Sequence, residues 1–283
     1  MHLGVFVPSL PFFLPQRHEN AKFDKGQINT RFKLIFLKSF SKFVGMKIGL
    51  LGYGKMGKEI EQIALQRGHS VPLKIDENNR NVITDLDIKD CDVLIDFSTP
   101  HGVMGNIHFA VNAQVPLVVG TTGWHDSIPA VGELVKSLNG SLIYGSNFSV
   151  GVNIFFALNK YLADIMDTQP DYNASIHEIH HTQKLDVPSG TAITLGKDMI
   201  EKLHTKEKWV DHISGKKDEL SITADRIENV PGTHIITYSS EIDTIEMKHI
   251  AHNRKGFALG AVMAAEWIAN KKGFYEVKEM FNF

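Results

Sequence analysis

From residue 47 onward the chain alternates short apolar runs with longer amphipathic stretches. Lys47-Ile48-Gly49-Leu50-Leu51 has the length and composition of a buried strand, and it runs straight into Gly52-Tyr53-Gly54-Lys55-Met56-Gly57. After Gly57, Ile60, Ile63 and Ala64 mark one face and Glu59, Glu61 and Gln62 the others, so a helix is predicted that stops at Gly68. Val71 to Ile75 predicts a second strand. Asp92 to Phe97 and Val115 to Val119 are β-branched, apolar runs typical of buried parallel strands. Ser141 to Tyr144 adds another strand, ahead of a helical stretch from Gly151 to about Met166.

After Phe148 the pattern changes. Tyr172 to Ile179, Leu220 to Ile227, His234 to Ser239 and Thr244 to Ile250 carry polar residues at alternate positions, which predicts an antiparallel or mixed sheet with one wet face. Between the first two of these, Ile193, Leu195, Met199, Ile200 and Leu203 predict a helix opening at Ser189-Gly190-Thr191-Ala192. A closing helix from Phe257 to Lys271 is expected to return to the first sheet. The fold class is therefore α/β: a Rossmann-type dinucleotide-binding domain plus an α+β substrate-binding and oligomerisation domain with a mixed, largely open sheet. The expected division is 46–147 for the first, 148–251 for the second, and 252–283 for a segment returning to the first. No internal repeat or low-complexity segment is found.

Residues 1–45 behave differently, with Phe6, Phe12, Phe13, Phe32, Phe36, Phe40 and Phe43, prolines at 8, 11 and 15, and no helical period. The prolines break the apolar part and the basic residues come late, unlike a secretory signal. The expectation is an extension that is disordered or lies upstream of a working start at Met46, with an organelle-targeting role as the lesser alternative. The full chain has 283 residues, 43% hydrophobic and 22% charged, which is enough for two real cores. A net charge of −2 gives no general affinity for nucleic acid. No run is long enough to span a membrane. The single Cys91 excludes an internal disulfide and opens an apolar strand, where burial explains it best; a cytoplasmic location is expected.

Against this frame the glycine turn gains meaning. A bare G-x-G-x-x-G is weak evidence, but here it follows a strand and opens a helix. Gly52 would allow the tight turn, Gly54 the approach of a pyrophosphate, and Gly57 close packing of helix on strand. Asp76 ends the next strand about 20 residues on, where a carboxylate accepts hydrogen bonds from an adenosine ribose. With Glu77, Asn78 and Asn79 it would equally make an ordinary polar turn; the upstream motif favours the ribose. Phe97 ends one further strand ahead of Ser98-Thr99-Pro100, and Gly120-Thr121-Thr122-Gly123 and Gly145-Ser146-Asn147-Phe148 follow two others. All would lie at the carboxyl edge of a parallel sheet, where ligands of such folds bind.

Residues 178 to 192 read Glu-Ile-His-His-Thr-Gln-Lys-Leu-Asp-Val-Pro-Ser-Gly-Thr-Ala. Two imidazoles and the Lys184 ammonium precede a helix start whose free N–H groups, at Ser189, Gly190 and Thr191, suit a carboxylate or phosphate. Piece by piece, a helix N-cap and solvated strand histidines would be the blander reading. His177-Glu178-Ile179-His180-His181 also matches the H-E-x-x-H of zinc peptidases, with Glu201 as a third ligand, but that pattern chelates only on a helix. Tyr172 to His181 is rich in β-formers between Pro170 and Pro188, so a strand is predicted and no metal is expected.

Together these segments resemble the 4-hydroxy-tetrahydrodipicolinate (dihydrodipicolinate) reductase family over residues 46 to about 275. The most specific element is His180-His181 through Lys184 to Pro188-Ser189-Gly190-Thr191-Ala192. Gly120 to Gly123, Asn147 to Asn153, and Glu246, His249, Arg254, Phe257 and Gly260 support it. The loop residues Thr182 and Gln183 depart from the family's usual pattern. The resemblance implies a reductase of the diaminopimelate route to lysine, using NADH or NADPH, acting on a small dicarboxylate and assembling as a homotetramer through the second domain; Asp76, followed by Glu77 rather than by a basic residue, leans the choice to NADH over NADPH. It implies pyrophosphate contacts from Gly52 to Met56, and a nicotinamide side at Gly120 to Gly123 and Gly145 to Phe148. Carboxylate contacts would come from His181, Lys184, Gly190 and Thr191, with His180 as the acid. Hydride delivery to a cyclic imine leaves charge that a histidine and a lysine can neutralise. Another nicotinamide enzyme, or a nucleotide sensor that performs no reduction, remains the alternative; a sensor has no need of His180, Lys184 and the anion site together.

Overall fold

The computed structural model describes residues 45–80 and 84–281. The expectation for the N-terminal extension lies outside the described residues. Two sheets organise the rest. The first has six parallel strands: β1 (Lys47–Leu51), β2 (Ser70–Ile75), β3 (Val93–Asp96), β4 (Leu117–Val119), β5 (Ser141–Tyr144) and, far along the chain, β11 (Gly273–Glu276). Their spatial order is β11-β5-β4-β3-β1-β2. The order reverses between β1 and β3, and the loops leaving those two strands border the crevice where such sheets bind ligands. Pro72 sits in β2, at the sheet edge, the position a residue without an N–H tolerates.

Helices cover both faces. α1 (Lys55–Gln66) follows the glycine turn, and Gly68 beyond its end has φ +86°. α2 (Asp85–Lys89), α3 (Val103–Asn112) and α4 (Ile128–Ser137) connect successive strands. One core joins Leu51, Leu94, Val103, Ile107, Val131, Val135 and Leu142. The other joins Ile48, Leu50, Ile60, Ile95, Val118 and Ile143 to α7 (Lys255–Ile268), through Ala258, Ala261, Val262, Ala265 and Ile268. The closing helix thus returns to the first sheet, as its apolar stripe predicts. Gly260 is what permits this, because a Cβ there would meet the Phe148 carbonyl oxygen at 1.6 Å.

The second sheet has the order β10-β9-β6-β8-β7, from β6 (Asn173–His180), β7 (Lys208–Val210), β8 (Glu219–Arg226), β9 (Gly232–Ser239) and β10 (Thr244–Ala251). It is mixed: β6 runs parallel to β8 and antiparallel to β9. One face packs on α5 (Val150–Met166) and α6 (Gly190–Lys202), burying Ala174, Ile176, Leu195, Met199, Leu220, Ile222, Ile236 and Tyr238. The alternation in β6 is strict, with Ala174, Ile176, Glu178 and His180 buried and Ser175, His177 and Ile179 half-buried on the other face. That strand carries Glu178 and His180 toward the helices and the cleft beside them.

Candidate active site

The site grows from the end of β6 and the start of α6. β6 ends at His180, the chain turns through His181 to Pro188, and Ser189 caps α6, its Oγ accepting from the Ala192 N–H at 3.2 Å. Ser189 is fully buried and spends its hydroxyl on this cap and on a 3.3 Å contact to His234 Nε2. The amides of Gly190 and Thr191, in the first turn, have no acceptor inside the helix. A Cβ on Gly190 would meet nothing within 4 Å, so open space adjoins its Cα. Lys184 Nζ is held by Asp186 at 2.8 and 2.9 Å.

These groups share one cleft of about 1070 Å³. His180, His181, Lys184, Ser189, Gly190 and Thr191 line it from the second sheet, and Thr122, Ser146 and Asn147 from the loops after β4 and β5. Asn147 Nδ2 reaches Thr191 Oγ1 at 3.4 Å, linking the two sides, and its Oδ1 accepts from the Ser149 N–H at 2.9 Å. The cleft also takes in residues the sequence reading did not assign: Gly232, His234, His249, Asn253, Arg254 and Phe257.

Beneath the cleft lies a buried network. Glu178 is fully buried; its Oε1 accepts from the Ser189 N–H at 3.0 Å and from Arg226 at 3.1 Å. Its Oε2 lies 3.5 Å from His180 Nδ1 and 3.6 Å from His234 Nε2. Burial pushes this carboxyl up, but the nearby His234 imidazole, the N–H donated by Ser189 and the charge of His180 outweigh it and hold it at about 2. Burial pushes the His180 imidazole down to about 4, against the opposing pull of Glu178. The imidazole is therefore neutral at pH 7 in the free protein, rather than titrating near neutrality as its residue type suggests. Arg226 also donates to the carbonyls of Lys184 (3.2 Å) and Asp186 (2.6 Å), so one guanidinium ties the lysine loop to Glu178.

Glu178, His180 and His234 place one potential ligand atom each within 4.8 Å of one another. An internal hydrogen-bond network fits this spacing as well as a metal would, and the guanidinium on the same carboxylate disfavours an added cation. The zinc-peptidase alternative loses its geometry. His177-Glu178-Ile179-His180 lies on a strand, and the pleat sends His177 to the opposite face, where it meets Thr223 Oγ1 at 2.8 Å and Asp225 at 3.3 Å. Glu201 sits on α6 beside Lys160.

The residues expected to hold the cofactor form a separate group at the carboxyl edge of the first sheet. Gly52 has φ +96°, and a Cβ there would meet the Phe97 carbonyl oxygen at 2.2 Å. A Cβ on Gly57 would meet the Gly52 oxygen at 2.4 Å, while one on Gly54 would meet nothing within 4 Å. Two of the glycines thus serve the turn and the helix packing, and the middle one leaves a cradle at the uncapped start of α1, between Tyr53, Lys55 and Met56. Those residues fit a dinucleotide pyrophosphate. Asp76 Oδ1 accepts from the Asn78 N–H at 2.8 Å, so the polar-turn reading holds and the turn fixes the carboxylate. Both nearby cations are turned elsewhere: Lys74 pairs with Glu61 and lies over the Tyr53 ring, and Arg80 lies over the Phe109 ring.

Several expected cofactor residues prove to be turned into the protein. Thr121 Oγ1 is bonded to buried Asp96 and accepts from the Ser98 N–H at 2.7 Å. Asp96 also receives Asn106 and Ser98, which locks the loop after β3 to the loop after β4. Phe148 is fully buried, edge-on to Phe97 at 6.1 Å, and a Cβ on Gly145 would collide with Val277 at 2.5 Å. Gly120 leaves room for the Phe97 ring, and Gly123 turns at φ +89°. What Phe148 and Thr121 can offer a ligand is backbone. Thr122, Ser146 and Asn147 bring these loops into the cleft with His180 and Lys184; the Gly52 to Gly57 turn and Asp76 lie outside its lining.

Comparison with known proteins agrees with this architecture. The model of the family described as dihydrodipicolinate reductase, N-terminus, matches residues 46–148, and that described as dihydrodipicolinate reductase, C-terminus, matches residues 151–281. A 4-hydroxy-tetrahydrodipicolinate reductase from Christiangramia forsetii is 47% identical over 237 residues, 84% of this chain and 98% of that protein. One from Thermosipho africanus is 35% identical over 83% of this chain and 97% of its own length. The solved structure of a dipicolinate-bound dihydrodipicolinate reductase from Paenisporosarcina sp. TG-14 shares the fold, with a TM-score of 0.67 at 20% identity, covering 83% of this chain and 99% of that one. Sheet order, cleft and relatives converge: the chain belongs to the dihydrodipicolinate reductase family.

Proposed function

We propose that this chain reduces 4-hydroxy-tetrahydrodipicolinate to tetrahydrodipicolinate, with loss of water, in the diaminopimelate route to lysine. The observation that carries the reading is the meeting of three groups in one cleft: the α6 amide start, the Lys184 ammonium and the His180 imidazole, facing the loops after β4 and β5. A small cyclic dicarboxylate matches that set. One carboxylate would lie on the Gly190 and Thr191 amides, and Lys184 and His181 would receive the rest of its charge. Lys184 leaves Asp186 to do so, exchanging one carboxylate partner for another.

A bound reduced nicotinamide supplies the hydride. We assign its dinucleotide to the Gly52–Gly57 turn and Asp76, its nicotinamide end to the Gly120–Gly123 and Gly145–Phe148 loops, and lean to NADH over NADPH. His180 is assigned as the proton donor. Its imidazole is neutral in the free protein, but a dianion seated beside it adds negative charge that favours the imidazolium, so binding the substrate arms the acid. Lys184 steadies charge that develops on the ring.

In the same reading, residues 46–147 form the dinucleotide domain, 148–251 the substrate and assembly domain, and 252–283 the return. The sheet face carrying Ser175, His177, Ile179, Ile235 and Thr237, which α5 and α6 leave uncovered, is the surface we assign to a homotetramer. The enzyme is placed in the cytoplasm. An assay of reduced-nicotinamide oxidation, with substrate made in situ from pyruvate and aspartate semialdehyde by the preceding synthase, tests the function. Oxidation that depends on both precursors is expected; oxidation indifferent to them would leave another nicotinamide enzyme or a sensor.

A further inference from the structure

The buried carboxylate of Glu178 has a use that substrate binding does not explain. It lies two residues before His180 on one face of β6, is fully buried, and receives three elements at once. β8 supplies Arg226, the start of α6 supplies the Ser189 N–H, and β9 supplies His234, directly across from Glu178 in the strand register. Both Oε1 partners are ordinary hydrogen bonds. Oε2 has none, and neither does His180 Nδ1, although the two buried atoms stand 3.5 Å apart. A buried acceptor and a buried donor left facing each other point to an interaction completed when the ring takes up its working tautomer or charge.

We propose that Glu178 is the positioning residue of the acid: it accepts a hydrogen bond from Nδ1–H of His180, fixing the ring so that Nε2 is the atom that handles the transferred proton. This rests on His180 being the acid. When Nε2 becomes protonated, the ring is an imidazolium with both nitrogens donating, Nδ1 to Glu178 and Nε2 to the substrate. When the proton leaves Nε2, the neutral ring keeps Nδ1–H on Glu178. The ring sits where this demands, with Nε2 beside Gly232, at which a Cβ would come within 3.1 Å. The groups facing the ring are Glu178, which favours its charged form, and His234, Lys184 and Arg226, which oppose it. Glu178 is thus the one carboxylate in that set, and Arg226 in turn holds it in place.

Replacing Glu178 should therefore hurt turnover rather than binding, and should alter its pH dependence, which a packing role alone would not. Glu178→Gln, similar in shape, is expected to lower kcat about ten- to hundredfold, with dicarboxylate KM and cofactor affinity within about threefold of wild type. The alkaline limb of kcat should move to lower pH, because the acid loses the charge that favours its proton; Glu178→Asp should recover part of both effects. Unchanged kcat with an unmoved limb would overturn the proposal. A second measurement does not depend on a variant that folds: nitrogen-15 NMR of histidine-labelled wild-type protein, assigned by loss of the signal in His180→Gln. The Nδ1–H tautomer is expected at neutral pH. The Nε2–H tautomer would overturn the proposal, as would tight uptake of one equivalent of zinc abolished by Glu178→Gln, which would make the trio a metal site. If the wild-type protein shows no reductase activity, the reductase reading fails; the tautomer still tests the Glu178 contact by itself.

Discussion

At the scale of single residues, the groups to which we assign the chemistry have surroundings that contradict their free behaviour. His180 is a histidine kept neutral by burial, its pKa pushed down to about 4, over a carboxylate held at about 2. The sign of the consequence for stability follows directly. Between about pH 6.5 and 4 the unfolded chain binds a proton at His180 that the folded chain refuses, so stability falls as pH drops through that window. Glu178 adds to the loss below pH 4.5, where the unfolded carboxyl takes a proton and the folded one does not. A melting temperature that rose on acidification from pH 6.5 to 4 would contradict this. A dianion in the cleft should reverse the balance at His180. Calorimetry of dipicolinate binding at pH 6, in buffers of different ionisation enthalpy, is expected to show net proton uptake, and none would be seen if the ring lay apart from the ligand. Asp76 belongs to the same scale. With Lys74 on Glu61 and Arg80 on Phe109, neither of these two cations waits for a 2′-phosphate, so kcat/KM should favour NADH over NADPH several-fold to tenfold, roughly 1 kcal/mol. Asp76→Ala should narrow the gap; a wild-type preference for NADPH would remove Asp76 as the discriminating residue.

At the scale of elements, the parts that declared themselves in the sequence are those with an unbroken pattern. β5 falls at Ser141–Tyr144 as predicted, β6 occupies Asn173–His180 inside the predicted run, and α6 begins at the turn its apolar stripe indicates. The elements without such a pattern were not predicted. β11 is four half-buried residues, Gly273–Glu276, after two lysines, and it exists because β5 offers an open edge. α3 holds Gly105 and Asn106, which blur its period, and α2 spans five residues. The site shows the same division. Lys184, His180 and the helix start are adjacent in sequence and could be read there. Arg226 and His234 come from β8 and β9 and meet Glu178 only through sheet register. One signal was available: Glu178 and His180 share a strand face by their spacing of two. The α6 start can be tested as an element. Ser189→Ala removes the cap, which should cost about 1 kcal/mol of stability. It should also raise the dicarboxylate KM more than the cofactor KM, because it loosens the amides of Gly190 and Thr191. Equal effects on both would argue that the helix start does not hold the dicarboxylate.

At the scale of the whole molecule, the chain winds out of the first sheet after β5, builds the second sheet, and comes back through α7 and β11. The return places α7 against β3, β4 and β5 and beside α5, with Phe257 near its start in the lining of the cleft. Family matches begin at residue 46, and β1 begins at Lys47, so a chain started at Met46 is expected to melt and turn over as the full chain does. Loss of soluble protein on that truncation would give residues 1–45 a structural role. Sedimentation should report four copies, and a charged substitution at Ile235, on the uncovered sheet face, should lower that number; a monomeric wild type would remove the assembly assignment. The central claim, that His180 and Lys184 perform the reduction in this cleft, is tested most directly by single-turnover oxidation of bound reduced nicotinamide at saturating dicarboxylate. The account predicts that His180→Gln slows this step at least about a hundredfold with cofactor affinity unchanged, and that Lys184→Ala weakens dicarboxylate binding as well. Near wild-type turnover in either variant would contradict it.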